Sequence, residues 1–375
     1  MLLLGNYVNS DQQSMQRFAA MMSRELLARY AEQLDVRLVR PPVVLGRLRK
    51  GASGLGKWLG YVDRFLLYPP LLARELRWAD LIHVCDHANA VYVPMLGGKP
   101  HVVTCHDMLA VKAARGEYAE ISVRATGRLL QRWILSGLRR SQSIICVSDN
   151  TMRQLQGVLQ GRCPPCAVIP NGLPFDYRPV PAAQARPLLA PIMWAGDRPY
   201  FLHVGGNQWY KNREGVLRLF AALIRLPRYR RHALVMVGRP WPPRLRAARD
   251  ELGLGARVTE VVDVGNAALR ALYSQAEALL FPSLHEGFGW PIIEAQACGC
   301  PVVTSSRAPM ADIAGAGAIA IDPERPEAAA GLVERRLRDR APLVAQGLTN
   351  ARRYDPGDMV ARYVAAYRAA LSGCV

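Results

Sequence analysis

The sequence predicts an α/β protein built from two doubly wound parallel sheets in tandem. Short apolar runs bounded by turn residues alternate with longer segments of helical periodicity, as is typical of parallel strands joined by crossover helices. This pattern restarts after Pro179, beyond a stretch rich in Pro and Ala that ends near Pro199 and is predicted to be a linker. The length of 375 residues is too great for one ordinary core and fits two domains.

Twelve apolar runs have the length and composition of buried strands. Six lie in the first half, at residues 2–4, 36–39, 81–84, 101–105, 143–147 and 167–169. Six more lie in the second half, at residues 201–204, 233–237, 258–262, 278–281, 301–304 and 318–321. Apolar spacings of three and four predict a helix over residues 15–30. We therefore expect domains at residues 1–185 and 186–357, and a last helix within residues 358–375 that crosses back to the first domain.

The composition indicates a globular protein that interacts with anions. Half of the residues are hydrophobic and 21% are charged, which disfavours a disordered chain. The formal net charge of +18 favours nucleic acid, anionic lipid or phosphorylated substrates as partners, unless the arginines only cover solvated faces. Charge alone does not choose among these alternatives.

Cysteines and apolar segments indicate a cytoplasmic protein. Cys85, Cys105 and Cys146 lie within apolar strand-like runs, where free thiols pack as small hydrophobic groups, so a reducing compartment fits best. Cys163 and Cys166 form a CxxC motif that is redox-active, half of a zinc site, or neither. The N-terminus resembles a first buried strand rather than a signal peptide, and no segment has the ~18 apolar residues of a membrane span. Membrane association is therefore expected to be peripheral, at the inner face.

One motif, at residues 51–57, resembles a nucleotide-binding loop. Residues 51–57 have the GxxxxGK spacing of a phosphate loop, but Trp58 stands where a Ser or Thr would bind the metal ion. The segment also follows basic residues instead of a buried strand, so a flexible basic loop is predicted. Because no Asp-x-Asp occurs, no carboxylate pair is available to hold a magnesium diphosphate, and no metal site is expected.

The most informative segment spans residues 281–301, where a strand ends, a Gly-rich loop turns and a helix begins. Ligands of open α/β sheets bind at such junctions. Gly287 and Gly289 allow close approach of the backbone, and amides at the helix start suit anionic or hydroxyl oxygens. Glu286 and Glu294 supply carboxylates, which hold sugar hydroxyls through charge-assisted hydrogen bonds. The alternative is a surface loop with incidental acidic residues.

This segment resembles the Glu-x7-Glu signature of the family 4 retaining glycosyltransferases, whose GT-B fold has two Rossmann-like domains that face each other across a cleft. Further matches extend over nearly the whole chain, more weakly before residue 80: residues 201–212, 237–239 and 262–264 in the second half, and 106–107, 147–151 and 169–172 in the first. The resemblance implies an acceptor-binding first domain and a nucleotide-sugar-binding second domain.

The resemblance also implies roles for individual residues. Glu286 would contact hydroxyls of the donor sugar and Glu294 those of the donor ribose. Lys211 would neutralise the diphosphate, a role that suits a compact ammonium. His106 would contact the transferred sugar near its reacting carbon, unless it is only a hydrogen-bonded histidine at a strand end. The remaining donor-binding positions are Gly205, Gly206, Arg239, Val264, Gly287, Phe288 and Gly289.

Two departures from the family pattern affect the phosphate site. Tyr210 precedes the lysine where the family often has Arg, and Gly206 occupies a second position that can carry Arg. Arg213 and Arg239 are candidate replacements for the absent cation. The first loop, residues 8–15, lacks the family's paired glycines, and amides near Ser10 or Ser14 are its alternative phosphate contacts.

These features together predict a hexosyltransferase that retains anomeric configuration without a metal or other cofactor. The donor would be a UDP- or GDP-sugar of mannose or glucose type, and the acceptor a lipid-linked glycan or surface polysaccharide. Arg124, Arg128 and Arg132 lie four residues apart beside apolar residues, which favours either contact with an anionic membrane or a simple solvated helix. The rival functions are a GT-B epimerase or phosphorylase and a basic nucleic-acid-binding protein; since no RNA-binding motif is visible, no nucleic-acid partner is expected.

Overall fold

The computed structural model describes residues 1–9, 13–48, 54–161, 163–192 and 198–373. Its residues form two compact units, Met1–Pro174 with Pro356–Val375, and Phe175–Asp355. Residues just after 175 belong to the second unit because Val180 accepts a hydrogen bond from Gln275 Nε2 and donates one to Ser274 Oγ. The division therefore differs from the boundary drawn between residues 185 and 186 from the sequence.

The first unit contains a parallel six-stranded sheet in the order β2-β1-β3-β4-β5-β6. Its strands are β1 (Leu2–Leu4), β2 (Arg37–Val39), β3 (Ile82–Val84), β4 (His101–Cys105), β5 (Ser143–Cys146) and β6 (Cys166–Val168). The helices joining them in the described ranges are α1 (Gln13–Tyr30), α2 (Gly54–Val62), α3 (Tyr68–Trp78), α4 (Leu109–Ala114), α5 (Ala125–Arg139) and α6 (Asp149–Leu159). The central strands are buried on both faces, as expected of a doubly wound sheet.

The prediction of a loop over residues 51–57 is wrong from Gly54 onward, because α2 begins there. Residues 51–53 lie outside the described part of the chain. A single π-helical turn, Asp63–Leu67, follows α2 and leads directly into α3. Buried Asp63 fixes this turn, since its carboxylate accepts hydrogen bonds from Tyr7 Oη and from the amides of Val44, Leu45 and Gly46.

The second unit contains another parallel six-stranded sheet, in the order β12-β11-β10-β7-β8-β9. Its strands are β7 (Tyr200–Gly205), β8 (Ala233–Gly238), β9 (Val258–Val262), β10 (Leu279–Phe281), β11 (Val302–Ser305) and β12 (Ala318–Ile321). Every strand predicted from the sequence is present in the two sheets, with ends that differ by at most one residue. The predicted class, two doubly wound Rossmann-like sheets, is confirmed.

Helices flank the second sheet as well. Those in the described residues are α7 (Ala182–Leu189), α8 (Arg213–Leu223), α9 (Pro243–Glu251), α10 (Asn266–Gln275), α11 (Trp290–Ala297), α12 (Met310–Ala314), α13 (Ala330–Arg338) and α14 (Ala341–Ala351). The predicted linker between Pro179 and Pro199 is wrong where α7 lies; its residues 193–197 are outside the described ranges. Ala185 and Leu189 of α7 are buried, so apolar contacts stabilise this helix. Its prolines made the segment resemble a linker in the sequence.

The last helix, α15 (Pro356–Ser372), belongs to the first unit. Two of its tyrosines are fully buried beside the first sheet, where Tyr367 Oη lies 2.8 Å from His83 Nδ1 and Tyr363 Oη lies 3.0 Å from Thr104 Oγ1. His83 Nε2 lies 2.7 Å from the same Thr104 hydroxyl. Since α15 satisfies polar groups of β3 and β4, it completes the core of the unit in which the chain begins.

This network predicts a pH-dependent stability. Burial, and to a smaller extent nearby His106, lower the pKa of His83 from 6.5 to about 3. Between these values the unfolded chain binds a proton that the folded chain does not, so stability should fall as the pH decreases from 6.5. Its contribution to the slope approaches about 1.4 kcal/mol per pH unit. Urea unfolding between about pH 4 and pH 7 measures this dependence. His83→Gln should remove the part of the slope that corresponds to about one bound proton, and an unchanged slope would contradict the assignment.

Within the described residues, no helix combines the length and apolar character needed to cross a bilayer.

Candidate functional site

The predicted donor-binding residues of the second unit lie at the carboxyl ends of four neighbouring strands. Gly205 ends β7 and Gly206 follows it, Arg239 follows β8, Val264 lies just after β9, and Glu286 follows β10. The sheet order places β10, β7, β8 and β9 side by side. The chain order reverses between β7 and β10, and open α/β sheets bind ligands at such a reversal point.

Glycines let the ends of β7 and β8 approach closely. A Cβ atom at position 238 would lie 2.0 Å from the carbonyl oxygen of Gly205, and one at position 205 would lie 2.9 Å from His203 Nε2. Any side chain at either position would therefore displace backbone or a buried ring. The result is an edge of half-buried backbone without side chains, which a ligand can approach closely.

Lys211 and Glu286 form an ion pair across the reversal point. Lys211 Nζ lies 2.8 Å from Oε1 and 3.0 Å from Oε2 of the carboxylate. The two side chains are only 17% and 8% exposed, so Lys211 is not a solvated surface lysine. The structure thus brings together a cation and a carboxylate that are 75 residues apart in sequence.

Asn212 fixes the backbone that carries Lys211. It adopts a left-handed conformation with φ of 51°, which Asn tolerates better than most residues. Its Nδ2 donates to the carbonyl oxygens of Pro282, at 2.9 Å, and Pro323, at 2.6 Å. The amide of Leu284 also donates to Tyr210 O at 2.7 Å. The loops that follow β7 and β10 are therefore joined directly on either side of the ion pair.

The second predicted carboxylate, Glu294, is buried inside α11 and is 2% exposed. Tyr273 Oη donates to its Oε2 at 2.9 Å. Burial, followed by the charge of Glu294, raises the pKa of Tyr273, so the phenol remains a donor. Gly289, with φ of 105°, makes the turn into α11, and Pro291 lies in the first turn of that helix. Gly287 and Phe288 lie in the same loop.

Arg213, a candidate for the missing phosphate cation, is buried at the start of α8 and only 6% exposed. Its Nη1 donates to Asn207 Oδ1 and to Arg239 O, and its guanidinium lies 5.5 Å from the Trp241 ring. Its Nε and Nη2 have no hydrogen-bond partner among the described residues. Burial lowers the pKa of this guanidinium to about 10. Arg213 thus places positive charge beneath the loops that follow β7 and β8.

His106 lies in the first unit, directly after β4, and is 3% exposed. Its Nε2 donates to Cys85 O at 2.9 Å, which leaves Nδ1 as the acceptor, and this buried Nδ1 has no partner among the described residues. The Phe18 ring meets the imidazole edge-on at 4.8 Å. Burial lowers the pKa of His106, so it is a neutral group that can accept a hydrogen bond from a hydroxyl.

Sequence reasoning missed a polar cluster in the first unit. Asp86 and His87 follow β3, and Asn6 follows β1, so they flank the point where that sheet reverses its order. Asp86 accepts hydrogen bonds from Asn6 Nδ2 and from the amide of Ala88, and its Oδ1 lies 3.1 Å from His87 Nδ1. Burial opposes ionisation of Asp86, but the hydrogen bonds from His87 and Ala88 and the charges of His87 and His106 together outweigh it, so the pKa of Asp86 is lowered. The sequence feature that could have identified these residues is their position shortly after an apolar strand.

The CxxC motif is reduced and uncharged. Cys163 Sγ lies 3.2 Å from Cys166 Sγ, and burial raises the pKa of Cys163 to about 12, so it is protonated near neutral pH. In the described ranges no three His, Cys, Asp or Glu side chains are grouped to hold a metal ion. The first loop's Ser10 lies outside the described residues, and Ser14 is within α1.

Two doubly wound parallel sheets, the second with a Lys–Glu pair and glycine loops at its reversal point, define a glycosyltransferase of GT-B type. Residues 15–177 match the family described as Glycosyltransferase Family 4, and residues 190–353 match Glycosyl transferases group 1. The chain belongs to this family of group 1, family 4 glycosyltransferases.

Two curated relatives are similar over different lengths of chain. The O-antigen chain mannosyltransferase B of Escherichia coli is 25% identical over 340 residues, which cover 87% of each chain. The D-inositol 3-phosphate glycosyltransferase of Mycolicibacterium paratuberculosis is 31% identical over 217 residues, or 55% of this chain and 46% of that protein.

Solved structures share the fold. The sucrose-phosphate synthase of Thermosynechococcus elongatus has a TM-score of 0.76 at 20% identity, with all of both chains covered. The Anabaena protein HepE, in complex with UDP and glucose, has a TM-score of 0.69 at 16% identity, with 97% of this chain and 98% of that chain covered.

Proposed function

We propose that this protein transfers a mannose- or glucose-type hexose from a UDP- or GDP-sugar to a lipid-linked or polysaccharide acceptor. The transfer would proceed with retention and without a metal ion, at the cytoplasmic face of the membrane, in cell-surface glycan synthesis. The observation that carries the proposal is the Lys211–Glu286 pair at the reversal point of the second sheet. The donor and acceptor classes are supported by the similarity to a mannosyltransferase of O-antigen chains and to a solved structure in complex with UDP and glucose.

Donor binding would exchange the partner of Lys211. The ammonium now contacts both oxygens of Glu286, and a diphosphate offers it a more highly charged partner. Glu286, once released, would accept hydrogen bonds from hydroxyls of the transferred sugar. One ion pair thereby supplies both a phosphate ligand and a sugar ligand.

The surrounding groups would hold the remainder of the donor. The backbone at Gly205 and Gly206, and at residues 287–289, can approach its oxygens closely. Arg239 and Val264, at the ends of β8 and β9, would lie on the side of the base. Glu294 would bind the ribose hydroxyls, with Tyr273 orienting its carboxylate.

Arg213 would act on the phosphates through its field, without direct contact. Its guanidinium is buried and hydrogen-bonded to Asn207 and to the Arg239 carbonyl, so its charge is held close to the loop that Gly206 begins. Electrostatic interactions are stronger in such a poorly solvated setting than in water. This fixed charge would replace the Arg that the family often carries before the lysine.

The reaction would follow front-face substitution. The bond between the anomeric carbon and the phosphate oxygen breaks, and the acceptor oxygen bonds to the same face of that carbon. The departing phosphate oxygen takes the acceptor's proton, so no protein nucleophile is required. Lys211 would stabilise the negative charge that develops on the diphosphate, and His106 would accept a hydrogen bond from the sugar.

A donor screen tests the proposal. UDP- and GDP-linked mannose, glucose and galactose are compared by thermal shift with EDTA present, and a matching donor should raise Tm because it binds only the folded state. The selected donor is then incubated with lipid-linked and polysaccharide acceptors, and NMR of the product reports the anomeric configuration. Inversion of configuration or a strict metal requirement would contradict the mechanism, and conversion of donor without any acceptor would favour an epimerase.

A further inference from the structure

A chain of aromatic rings links two separate segments on the surface of the first unit. The ring centroids of Trp58 and Tyr61 are 5.7 Å apart, those of Tyr61 and Phe65 are 5.6 Å apart, and those of Phe65 and Trp133 are 5.2 Å apart. Trp58 and Tyr61 lie on α2, Phe65 on the π-helical turn, and Trp133 on α5. We call these four rings with Leu66 and Leu129 the aromatic face.

Much of this face is open to solvent. Leu66 and Leu129 are each 67% exposed, Trp58 is 58% exposed and Trp133 is 44% exposed. Phe65 packs against the buried core of the unit and therefore connects the aromatic face to that core. Contacting rings that are partly open to solvent, together with exposed leucines on the same segments, form an apolar patch of the kind that marks an interaction surface.

Cations border the aromatic face. Arg128 and Arg132 are exposed on α5, and Arg124 is exposed at the residue before the helix begins. The three arginines are four residues apart, and Leu129 and Trp133 directly follow Arg128 and Arg132. On the other segment, Lys57 Nζ lies 5.7 Å from the Tyr61 ring and the Arg64 guanidinium 5.1 Å from the Phe65 ring.

Acidic groups are nearly absent from both segments. Residues 121–148 include no Asp or Glu, and Asp63 is the only acidic residue within 36–74. Asp63 is fully buried, and its carboxylate is engaged by Tyr7 and by backbone amides. The cations around the face are therefore not balanced by acidic residues of these two segments, and the surface suits an anionic partner.

We propose that the aromatic face docks on an anionic lipid bilayer, with its aromatic and leucine side chains in the interface and the arginines against the headgroups. Trp and Tyr favour this depth of a bilayer, and basic residues beside them bind anionic lipids. A second copy of the chain fits less well, since a symmetric contact would bring Arg against Arg. The exposed leucines equally disfavour nucleic acid, which offers no apolar surface of this size.

Docking on a bilayer would bring the protein to a lipid-linked acceptor. In this one respect the docking proposal rests on the proposed function. Vesicle binding is measured without a donor sugar, so the two proposals can fail separately. If the protein binds the donor but not the vesicles, only the docking proposal is contradicted. If it binds the vesicles but no donor, only the proposed reaction is contradicted.

The test is co-sedimentation of the full chain with phosphatidylcholine vesicles that contain or lack phosphatidylglycerol. Joint replacement Arg124→Gln, Arg128→Gln and Arg132→Gln should weaken binding to the anionic vesicles roughly a hundredfold, because each cation near such a surface contributes severalfold. The control carries Arg335→Gln, Arg336→Gln and Arg338→Gln on α13 of the second unit, with the same change in net charge. It should bind almost as wild type; equal losses in both variants would overturn the proposal.

Insertion of the rings is tested separately. Brominated lipids quench tryptophan fluorescence on contact, and Trp58 and Trp133 are the two tryptophans of the aromatic face. Quenching should be strong for the wild type and nearly absent for the variant Trp58→Ser, Trp133→Ser, with circular dichroism confirming its fold. Undiminished quenching, or self-association through this face without vesicles, would overturn the proposal.

Discussion

Replacing Lys211 with methionine should lower kcat by about a hundredfold to a thousandfold, the usual effect of removing one group that stabilises transition-state charge. Methionine keeps most of the length of the side chain but cannot neutralise the departing diphosphate. Steady-state transfer with the selected donor and acceptor measures the loss. Lys112→Met, a change of the same kind at a lysine of the first unit outside the proposed site, should leave kcat unchanged.

A loss of activity in this variant must be separated from a loss of folding. Glu286 would be left as a largely buried carboxylate without its cation, and breaking such a pair costs about 3–5 kcal/mol of stability. The double variant Lys211→Met, Glu286→Gln removes both charges and should recover much of the stability in urea unfolding. It should remain inactive. Recovery of turnover together with stability would mean that Lys211 supports only the fold.

Replacing Glu286 with glutamine should affect sugar transfer and nucleotide binding in opposite directions. Transfer should fall by about a hundredfold, since the amide cannot form charge-assisted hydrogen bonds with the sugar hydroxyls. Binding of the free nucleoside diphosphate should tighten, because Lys211 no longer has a carboxylate to leave. Calorimetry with the diphosphate and kinetics with the nucleotide sugar measure the two effects.

A matched control is available in the same unit. Glu277 is also largely buried and pairs with Arg228 and Arg340, away from the strand ends that carry the site. Glu277→Gln should lower stability without changing the ratio of diphosphate affinity to transfer rate. Full transfer by Glu286→Gln, or a parallel loss of both properties, would contradict the proposed exchange of partners.

The sequence predicted the sheets well because buried parallel strands are almost uniformly apolar, and a run such as 101–105 needs no tertiary information to be recognised. It predicted α2 and α7 poorly. Glycines at the start of α2 and prolines around α7 resemble loop composition. Burial of Ala185 and Leu189 outweighs that local preference in α7, and in α2 the buried residues are Gly56 and Gly60.

The site could be predicted in part for the same reason. Lys211 and Glu286 follow strands whose ends meet at one edge, so their proximity follows from topology once the strands are known. The direct contact between them, and the binding of Tyr273 to Glu294, depend on side-chain packing that no sequence pattern encodes. Asp86 and His87 were missed because Asn6, the hydrogen-bond partner of Asp86, lies 80 residues away in the chain.

The membership of α15 in the first unit makes that unit discontinuous, with the second unit inserted as one unbroken segment. During synthesis the ribosome must therefore translate the whole inserted unit and then α15 before the half that emerged first can complete its core. His83 and Thr104 therefore lack their tyrosine partners until the whole inserted unit has been translated. A premature stop codon directly before the codons of α15 would thus damage the unit that is made first and spare the unit that is made second.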